Sequence, residues 1–166
     1  MEPSTQTSAP ADAGIDLSQF YGVFFEEATE NLDNMEQLLL EVDIEAADDE
    51  ELNAIFRCAH SVKGGAATFG FADVTELTHQ MESLLDKLRR HELAATPTMV
   101  DVLLRAVDAL RTLLDAHQDG EASELDTREL VEQIRAMGDA SAPAPAAAEA
   151  VEAVEAVEAV EAVEAV

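Results

Sequence analysis

Residues 60–71 read His60-Ser61-Val62-Lys63-Gly64-Gly65-Ala66-Ala67-Thr68-Phe69-Gly70-Phe71, and this stretch organises the interpretation of the whole chain. It lies within a helical pattern, yet it holds two adjacent glycines, each of which costs a helix interior about 1 kcal/mol relative to alanine. His60 precedes the pair by one helical turn. A helix that only packs against its neighbours would not carry both glycines. We therefore predict that His60 is a reactive group and that Lys63, Gly64 and Gly65 form the surface on which a partner lands.

Apolar residues recur at three- and four-residue steps on both sides of this stretch, which predicts an all-α protein. The predicted helices cover 16 or 18 to 42, 49–68, 72–91, 97–120 and 126–137. Gly70 is expected to end the second helix, Thr96 and Pro97 to begin the fourth, and Gly138 to close the fifth. The predicted inner face of the second helix consists of Leu52, Ile55, Phe56, Ala59, Val62 and Ala66.

Helical geometry places the candidate site on the flanks of two helices. At about 100° per residue, His60 lies roughly 110° from the centre of its helix's inner face, with Arg57 and Gly64 close to it on the outward side. Glu82 lies about 115° from the apolar stripe of the third helix, and His79 precedes it by one turn. If these helices pair antiparallel across their short turn, Glu82 meets His60.

This constellation suits phosphorylation of a histidine ring. Only the lone-pair nitrogen of a neutral imidazole is nucleophilic. A carboxylate that accepts the other ring N–H fixes the tautomer and raises the basicity of the free nitrogen, and Glu82 is the candidate for it, with Nε2 of His60 left exposed. Lys63 would offer its ammonium to the phosphoryl oxygens. We expect Gly64 and Gly65 to leave room for a partner, and His79 to belong to the surrounding polar network.

Simpler interpretations stay open at this point. His60 could be an ordinary surface residue, the two glycines could only permit close helix crossing, and Glu82 with His79 could form a solvated face. His60, His79 and Glu82 could also bind zinc, although no second chelating cluster supports a metal site. The chain has no phosphate-binding loop and no glycine-rich dinucleotide motif, so we do not expect it to bind a nucleotide.

Composition narrows the range of partners and compartments. The 166 residues carry a formal net charge of -27, which repels nucleic acid and anionic membranes. A single cysteine, Cys58, excludes an internal disulfide and fits a reducing compartment. No apolar run approaches the roughly 18–20 residues of a membrane span, and the N-terminus lacks a signal pattern. We therefore expect a cytoplasmic protein with no nucleic-acid partner and no membrane insertion.

The two ends of the chain differ from its middle. Residues 1–15 are rich in proline, serine, threonine and alanine, which predicts a disordered leader before a domain at 16–138. Residues 139–166 form a low-complexity linker of alanine, valine and glutamate. Its three-residue period drifts about 60° per repeat around a helix and never builds one apolar stripe. The repeat reaches the last residue, as expected if a further segment normally follows or if the chain has been cut.

The motif at 60–71, followed by Leu77-Thr78-His79-Gln80-Met81-Glu82-Ser83-Leu84-Leu85-Asp86, resembles the N-terminal phosphotransfer (HPt, P1) domain of the chemotaxis histidine kinase CheA. The resemblance covers about residues 17–137. It implies an up-down four-helix bundle with a fifth C-terminal helix. By position, His60 matches the phosphoacceptor, Lys63, His79 and Glu82 match its supporting network, and Gly64 matches the open surface.

The resemblance also implies a function that depends on partners. The histidine would receive phosphate from ATP through a separate kinase catalytic domain, usually of the other subunit in a dimer. It would then pass the phosphate to an aspartate in the receiver domain of a response regulator. This chain would bind no cofactor, since ATP and Mg belong to the kinase domain, and no ATP-binding domain fits in this length. A free-standing phosphorelay intermediate and a non-catalytic helical interaction module remain as alternatives.

Overall fold

The computed structural model describes residues 17–140, and this part of the chain is entirely helical apart from its turns and loops. The helices are α1 (Leu17–Glu41), α2 (Asp49–Phe69), α3 (Ala72–Arg89), α4 (Pro97–Asp119) and α5 (Arg128–Asp139). The predicted all-α class with five helices is therefore confirmed. The leader predicted at 1–15 lies outside the described residues, as does the linker predicted at 139–166 from residue 141 onward.

The first four helices form a closed bundle. α1 packs against α2 and α4, and α3 packs against the same two helices from the other side, while α5 covers α3 and α4. Short connections between successive helices produce an up-and-down order. Leucine, methionine, isoleucine and valine side chains fill the centre; among the most deeply buried are Leu32, Met35, Ile55, Val62, Leu77, Met81, Leu103 and Leu110. None of the described helices is both long and apolar enough to cross a bilayer.

Several helix ends follow directly from local sequence. The Asp48 side chain accepts a hydrogen bond from the backbone N–H of Glu50 at the start of α2, at 3.2 Å. Thr96 accepts one from the N–H of Met99 at 3.2 Å, with Pro97 as the first residue of α4. Gly70 ends α2 with a left-handed φ of 76°. The predicted roles of Thr96, Pro97 and Gly70 are therefore confirmed.

The observed ends of α3 and α5 lie two residues from the approximate positions that the sequence predicts. α3 ends at Arg89, and His91 adopts a left-handed φ of 59° while its backbone N–H bonds the Leu88 carbonyl and that of Glu92 bonds the Lys87 carbonyl. These two bonds satisfy carbonyls of the last turn, so a residue other than glycine closes this helix. Gly138 does not close α5, because the N–H of Ala140 still bonds the Ala136 carbonyl.

Aromatic side chains fasten the turn between α2 and α3. Phe69 and Phe71 flank Gly70, and both contact the rings of Tyr21 and Phe24 on α1. Phe71 also stacks on His117 of α4, with ring centroids 4.2 Å apart. The turn is thereby tied to two other helices, which fixes the relative placement of the facing flanks of α2 and α3.

Candidate phosphotransfer site

The turn at Gly70 sets His60 and Glu82 opposite each other. α2 and α3 leave this turn in opposite directions, and His60 precedes it by nearly as many residues as Glu82 follows it. Residues equally far from a tight turn lie at the same level of two antiparallel helices, because both helices rise by about 1.5 Å per residue. The two side chains therefore meet across the α2–α3 groove.

Glu82 joins His60 and Lys63 through the two oxygens of one carboxylate. Nδ1 of His60 lies 3.2 Å from Oε1, and Nζ of Lys63 lies 2.7 Å from Oε2. Oε2 is enclosed by protein, and Lys63 approaches it at ion-pair distance without the alignment of a regular hydrogen bond. The Glu82 side chain is only 15% exposed, whereas His60 is 62% exposed. The carboxylate is thus held inside the groove, and the imidazole stands at its rim.

The ionisation of Glu82 determines which ring nitrogen carries the proton. Burial raises the pKa of Glu82, but its contacts with Lys63 and His60 outweigh burial, so the pKa lies below the ordinary value of 4.5. An ionised carboxylate only accepts hydrogen bonds, and Nδ1 of a neutral His60 must therefore be the donor. The lone pair then resides on Nε2, on the exposed side of the ring.

Phe56 borders the imidazole from the preceding turn of α2. Its ring lies nearly parallel to that of His60, with an interplanar angle of 14° and centroids 5.9 Å apart. The sequence prediction that Phe56 belongs to the inner face is confirmed in part, because the half-buried side chain packs against the core and also lies beside the site. The four-residue spacing to His60 was the signal for this contact, since such pairs are neighbours on a helix surface.

The two glycines have different surroundings. A Cβ added to Gly64 would meet no atom within 4 Å, so this position leaves the surface open beside His60. A Cβ added to Gly65 would lie 2.5 Å from the Phe24 ring of α1. Gly65 is therefore required for close packing of α1 on α2, and its assignment to the partner surface is corrected by the structure.

His79 lies outside the network predicted for it. Its exposed side chain makes no hydrogen bond or ion pair within residues 17–140. It lines an open, mostly apolar groove of about 580 Å³ together with Lys63, Gly64, Ala67, Gly70, Ala72, Thr75 and Glu76. Within the same described range, no three histidine, cysteine or acidic side chains are placed to share a metal ion. The structure therefore offers no support for a zinc site formed with His60 and Glu82.

Arg57 faces the other side of His60. It is exposed and lines a groove of mixed polarity between α1 and α2, together with residues that include Asn31, Asn34 and Ser61. Among residues 17–140 its guanidinium forms no ion pair. Its role as part of a partner surface stays a prediction, as does the role of Gly64.

Known proteins with the same sequence features share this helical arrangement. The Hpt domain family matches residues 19–120. The chemotaxis protein CheA of Klebsiella aerogenes is 51% identical over 104 residues, which are 63% of this chain and 16% of that protein. The solution structure of a histidine phosphotransfer domain of CheA is 30% identical, with a TM-score of 0.64, and the match covers 72% of this chain and 92% of that one.

A second solved structure has a similar fold. The phosphorylated P1 domain of CheA3 from R. sphaeroides, solved in complex with CheY6, is 23% identical with a TM-score of 0.67, covering 75% of this chain and 98% of that one. The chain spans about a sixth of the length of the first curated relative that it matches. The family match over most of the described residues shows that this chain belongs to the Hpt domain family and that it is similar to the phosphotransfer domains of CheA.

Proposed function

We propose that this chain is a phosphocarrier domain of a chemotaxis two-component system, in which Nε2 of His60 accepts a phosphoryl group and passes it to a response regulator. One observation carries the proposal. The Nδ1 edge of His60 is held 3.2 Å from the carboxylate of Glu82, which is 15% exposed, while the His60 side chain remains 62% exposed. A ring that is fixed at one nitrogen and free at the other has the form that a reversible nucleophile requires.

The first step takes phosphate from ATP bound to a separate kinase catalytic domain. Nε2 of His60 attacks the γ-phosphorus, a nitrogen–phosphorus bond forms, and the bond from phosphorus to the bridging oxygen breaks as ADP leaves with its electron pair. The ring keeps its Nδ1 proton and gains positive charge. Glu82 lies where it stabilises that charge, and catalysis otherwise rests on positioning and on the Mg of the kinase domain.

The second step reverses the chemistry at His60. An aspartate oxygen of a receiver domain attacks phosphorus, the nitrogen–phosphorus bond breaks, and its electron pair returns to Nε2. The partner must bring this aspartate within bonding distance of an exposed ring, and the open surface at Gly64 leaves room for that approach. The R. sphaeroides P1 domain solved with CheY6 supports a receiver domain as the partner class.

The test measures transfer of phosphate from labelled ATP to the purified chain, with and without the catalytic region of a CheA kinase. We expect label that requires the catalytic region, resists alkali, is lost in acid and disappears in His60→Gln. The matched control is His79→Gln, which removes another exposed histidine beside the same groove. This variant should keep most of the label, because His79 makes no polar contact with His60 or Glu82 in the structure.

Four results would contradict the proposal or part of it. Label with ATP alone would mean that this chain has its own catalytic site. Equal labelling of His60→Gln and wild type would remove His60 from the mechanism. The absence of label from any donor, including a phosphorylated receiver domain run in reverse, would favour a helical interaction module. Label that comes from a receiver domain but never from a kinase would instead indicate a free-standing relay intermediate.

A further inference from the structure

A second set of contacts involves the plane of the His60 ring, in addition to the carboxylate contact at Nδ1. Phe56 lies one turn before His60 on α2, and the two rings are offset and nearly parallel, with centroids 5.9 Å apart. Offset stacking of this kind is a favoured arrangement of flat rings. Phe56 is half-buried, so part of its surface packs against the bundle and part borders the exposed imidazole.

Arg89 on α3 holds the Phe56 ring in place. Its guanidinium carbon lies 3.8 Å from the centre of the ring, well within the range of a cation–π contact. Nε of Arg89 donates a hydrogen bond of 2.7 Å to Oδ1 of Asp86, one turn earlier on α3. The planar guanidinium is therefore fixed by an ion pair and lies over the ring. Phe56 is thereby restrained by a helix other than its own.

The two sets of contacts restrain different motions of the His60 ring. Glu82 binds the Nδ1 edge, and a half-turn of the imidazole would replace Nδ1 by a carbon and lose this contact. A single contact at one ring atom leaves the ring free to tilt about the axis that runs through that atom. Phe56 restricts that tilt because two stacked flat rings lose contact when one rotates out of plane. The Glu82 contact and the Phe56 ring together set the direction of the Nε2 lone pair.

We propose that Phe56, held by Arg89, is a positioning residue that fixes the plane of the His60 ring for phosphoryl transfer. This inference rests on the proposed function of His60. Phe56 lies beside the reacting ring in a nearly parallel plane, and Arg89 acts only through Phe56. The in-line geometry of phosphoryl transfer gives this orientation its importance, because a small misplacement of the attacking atom lowers the rate strongly.

The first part of the test compares phosphotransfer rates. Phe56→Leu keeps an apolar side chain but removes the flat surface, and it should slow transfer roughly three- to tenfold. Phe56→Tyr keeps the flat surface and should restore the rate to within about twofold of wild type. Arg89→Met keeps the aliphatic stem and loses the guanidinium, so its effect should lie between these two.

Two control variants separate positioning from general loosening. Leu104→Ala truncates a half-buried apolar side chain on α4, a helix that does not carry the site. Arg90→Met makes the same charge change as Arg89→Met at the next residue, which also pairs with Asp86. Both controls should transfer phosphate at rates within about twofold of wild type. Slowing by the controls that equals that of Phe56→Leu and Arg89→Met would overturn the proposal.

The second part of the test does not require phosphotransfer. Nuclear magnetic relaxation of the labelled His60 ring in the unphosphorylated chain reports how far the ring moves. We expect larger ring motion in Phe56→Leu and Arg89→Met, with the Nδ1–H tautomer retained because Glu82 is unchanged. Unchanged ring motion in Phe56→Leu would refute positioning even if transfer were slow. A wild-type chain that accepts no phosphate, with ring motion dependent on Phe56, would refute the proposed function and leave the positioning of the ring intact.

Discussion

Two ionic clusters join helices of this bundle, and they are built in opposite ways. Between α2 and α3, one carboxylate, Glu82, contacts His60 and Lys63. Between α1 and α4, one guanidinium, that of Arg111, lies 2.9 Å from Asp33 and 2.6 Å from Glu36 and also contacts Asp108 on its own helix. The Glu82 cluster has its acid at the centre, whereas the Arg111 cluster has its base there.

This difference in construction indicates which of the two clusters can take part in a reaction. In the Arg111 cluster the charged groups satisfy one another, and a hydrogen bond from Arg111 lowers the pKa of Glu36. In the Glu82 cluster the carboxylate fixes Nδ1 of His60, and the opposite nitrogen of the same ring has no partner among residues 17–140. A chain with a net charge of -27 can form many ion pairs. A group is ready to react, however, only when one of its atoms is free and the rest of the group is held in place, as Nε2 is in the His60 ring.

The largest expected effect on the transfer rate comes from removing Glu82, and a glutamate of the Arg111 cluster provides the control. Glu82→Ala should slow phosphotransfer to and from His60 by about 10- to 100-fold, the usual cost of losing a group that orients a histidine ligand. Glu36→Ala removes an acid from the Arg111 cluster and should leave the rate unchanged. Single-turnover transfer from a phosphorylated kinase region measures both variants. Equal rates for Glu82→Ala and wild type would remove Glu82 from the mechanism.

The adjacent glycines allow the same comparison for packing. Gly65→Ala places a methyl group 2.5 Å from the Phe24 ring, so we expect it to destabilise the fold by about 1–3 kcal/mol. Gly64→Ala meets no neighbour and should stabilise the helix by up to about 1 kcal/mol. Urea unfolding measures both changes. If Gly64→Ala nevertheless slows transfer to a receiver domain, the added methyl acts on the partner; equal destabilisation by both variants would contradict the assigned roles.

Replacing one cation in each cluster, Arg111 or Lys63, should have a smaller effect on stability. Arg111→Met should lower the free energy of unfolding by about 1 kcal/mol or less and leave the transfer rate unchanged, since its ion pairs are at the surface. Lys63→Met makes the same change in charge beside His60 and should lower the transfer rate severalfold at similar stability. Loss of transfer in Arg111→Met, at a stability equal to that of Lys63→Met, would show that the two clusters are not separable.

The helices could be predicted from the sequence because periodicity and end signals are local. Thr96 with Pro97 and the glycine at position 70 specify helix ends through their own backbone preferences. His91 was missed because its left-handed conformation depends on the bonds that it and Glu92 make to carbonyls of the last turn of α3. A histidine has no strong local preference for a left-handed backbone, so the sequence gives no signal that a helix ends near His91.

The site was only partly predictable because some of its contacts depend on a second helix. Helical geometry could place His60 and Glu82 on facing flanks, since each angle follows from one helix alone. The same reasoning placed Phe56 on the inner face, but it could not predict that the guanidinium of Arg89 lies over the Phe56 ring, because Arg89 belongs to a different helix. It could not separate Gly64 from Gly65 either, since the position of Phe24 decides between them.

The smallest expected effect concerns the free energy of unfolding at low pH. Both clusters should lose stabilising free energy as the pH falls. The pKa values of Glu82 and Glu36 both lie below the ordinary value in the folded chain. A lowered folded pKa means that the ionised group stabilises the fold above its unfolded pKa of about 4.5, and that this contribution is lost as the pH falls through the lower folded value. The stability difference between wild type and Glu36→Gln should therefore be constant above about pH 5.5, and both this difference and the one between wild type and Glu82→Gln should shrink below about pH 4.5.

Salt should distinguish the two carboxylates within that acid window. The Glu36 side chain is 38% exposed and Glu82 only 15%, so dissolved ions screen the attraction of Glu36 to Arg111 more effectively. In urea unfolding at pH 7, 5, 4 and 3, raising the salt from about 0.05 to 0.5 M should flatten the pH dependence of the Glu36→Gln difference. The Glu82→Gln difference should keep its slope, because its carboxylate is enclosed between α2 and α3. Equal flattening of both differences would show that the Glu82 carboxylate is as open to solvent as that of Glu36, and the contrast between the two clusters would then rest on the free nitrogen of His60 alone.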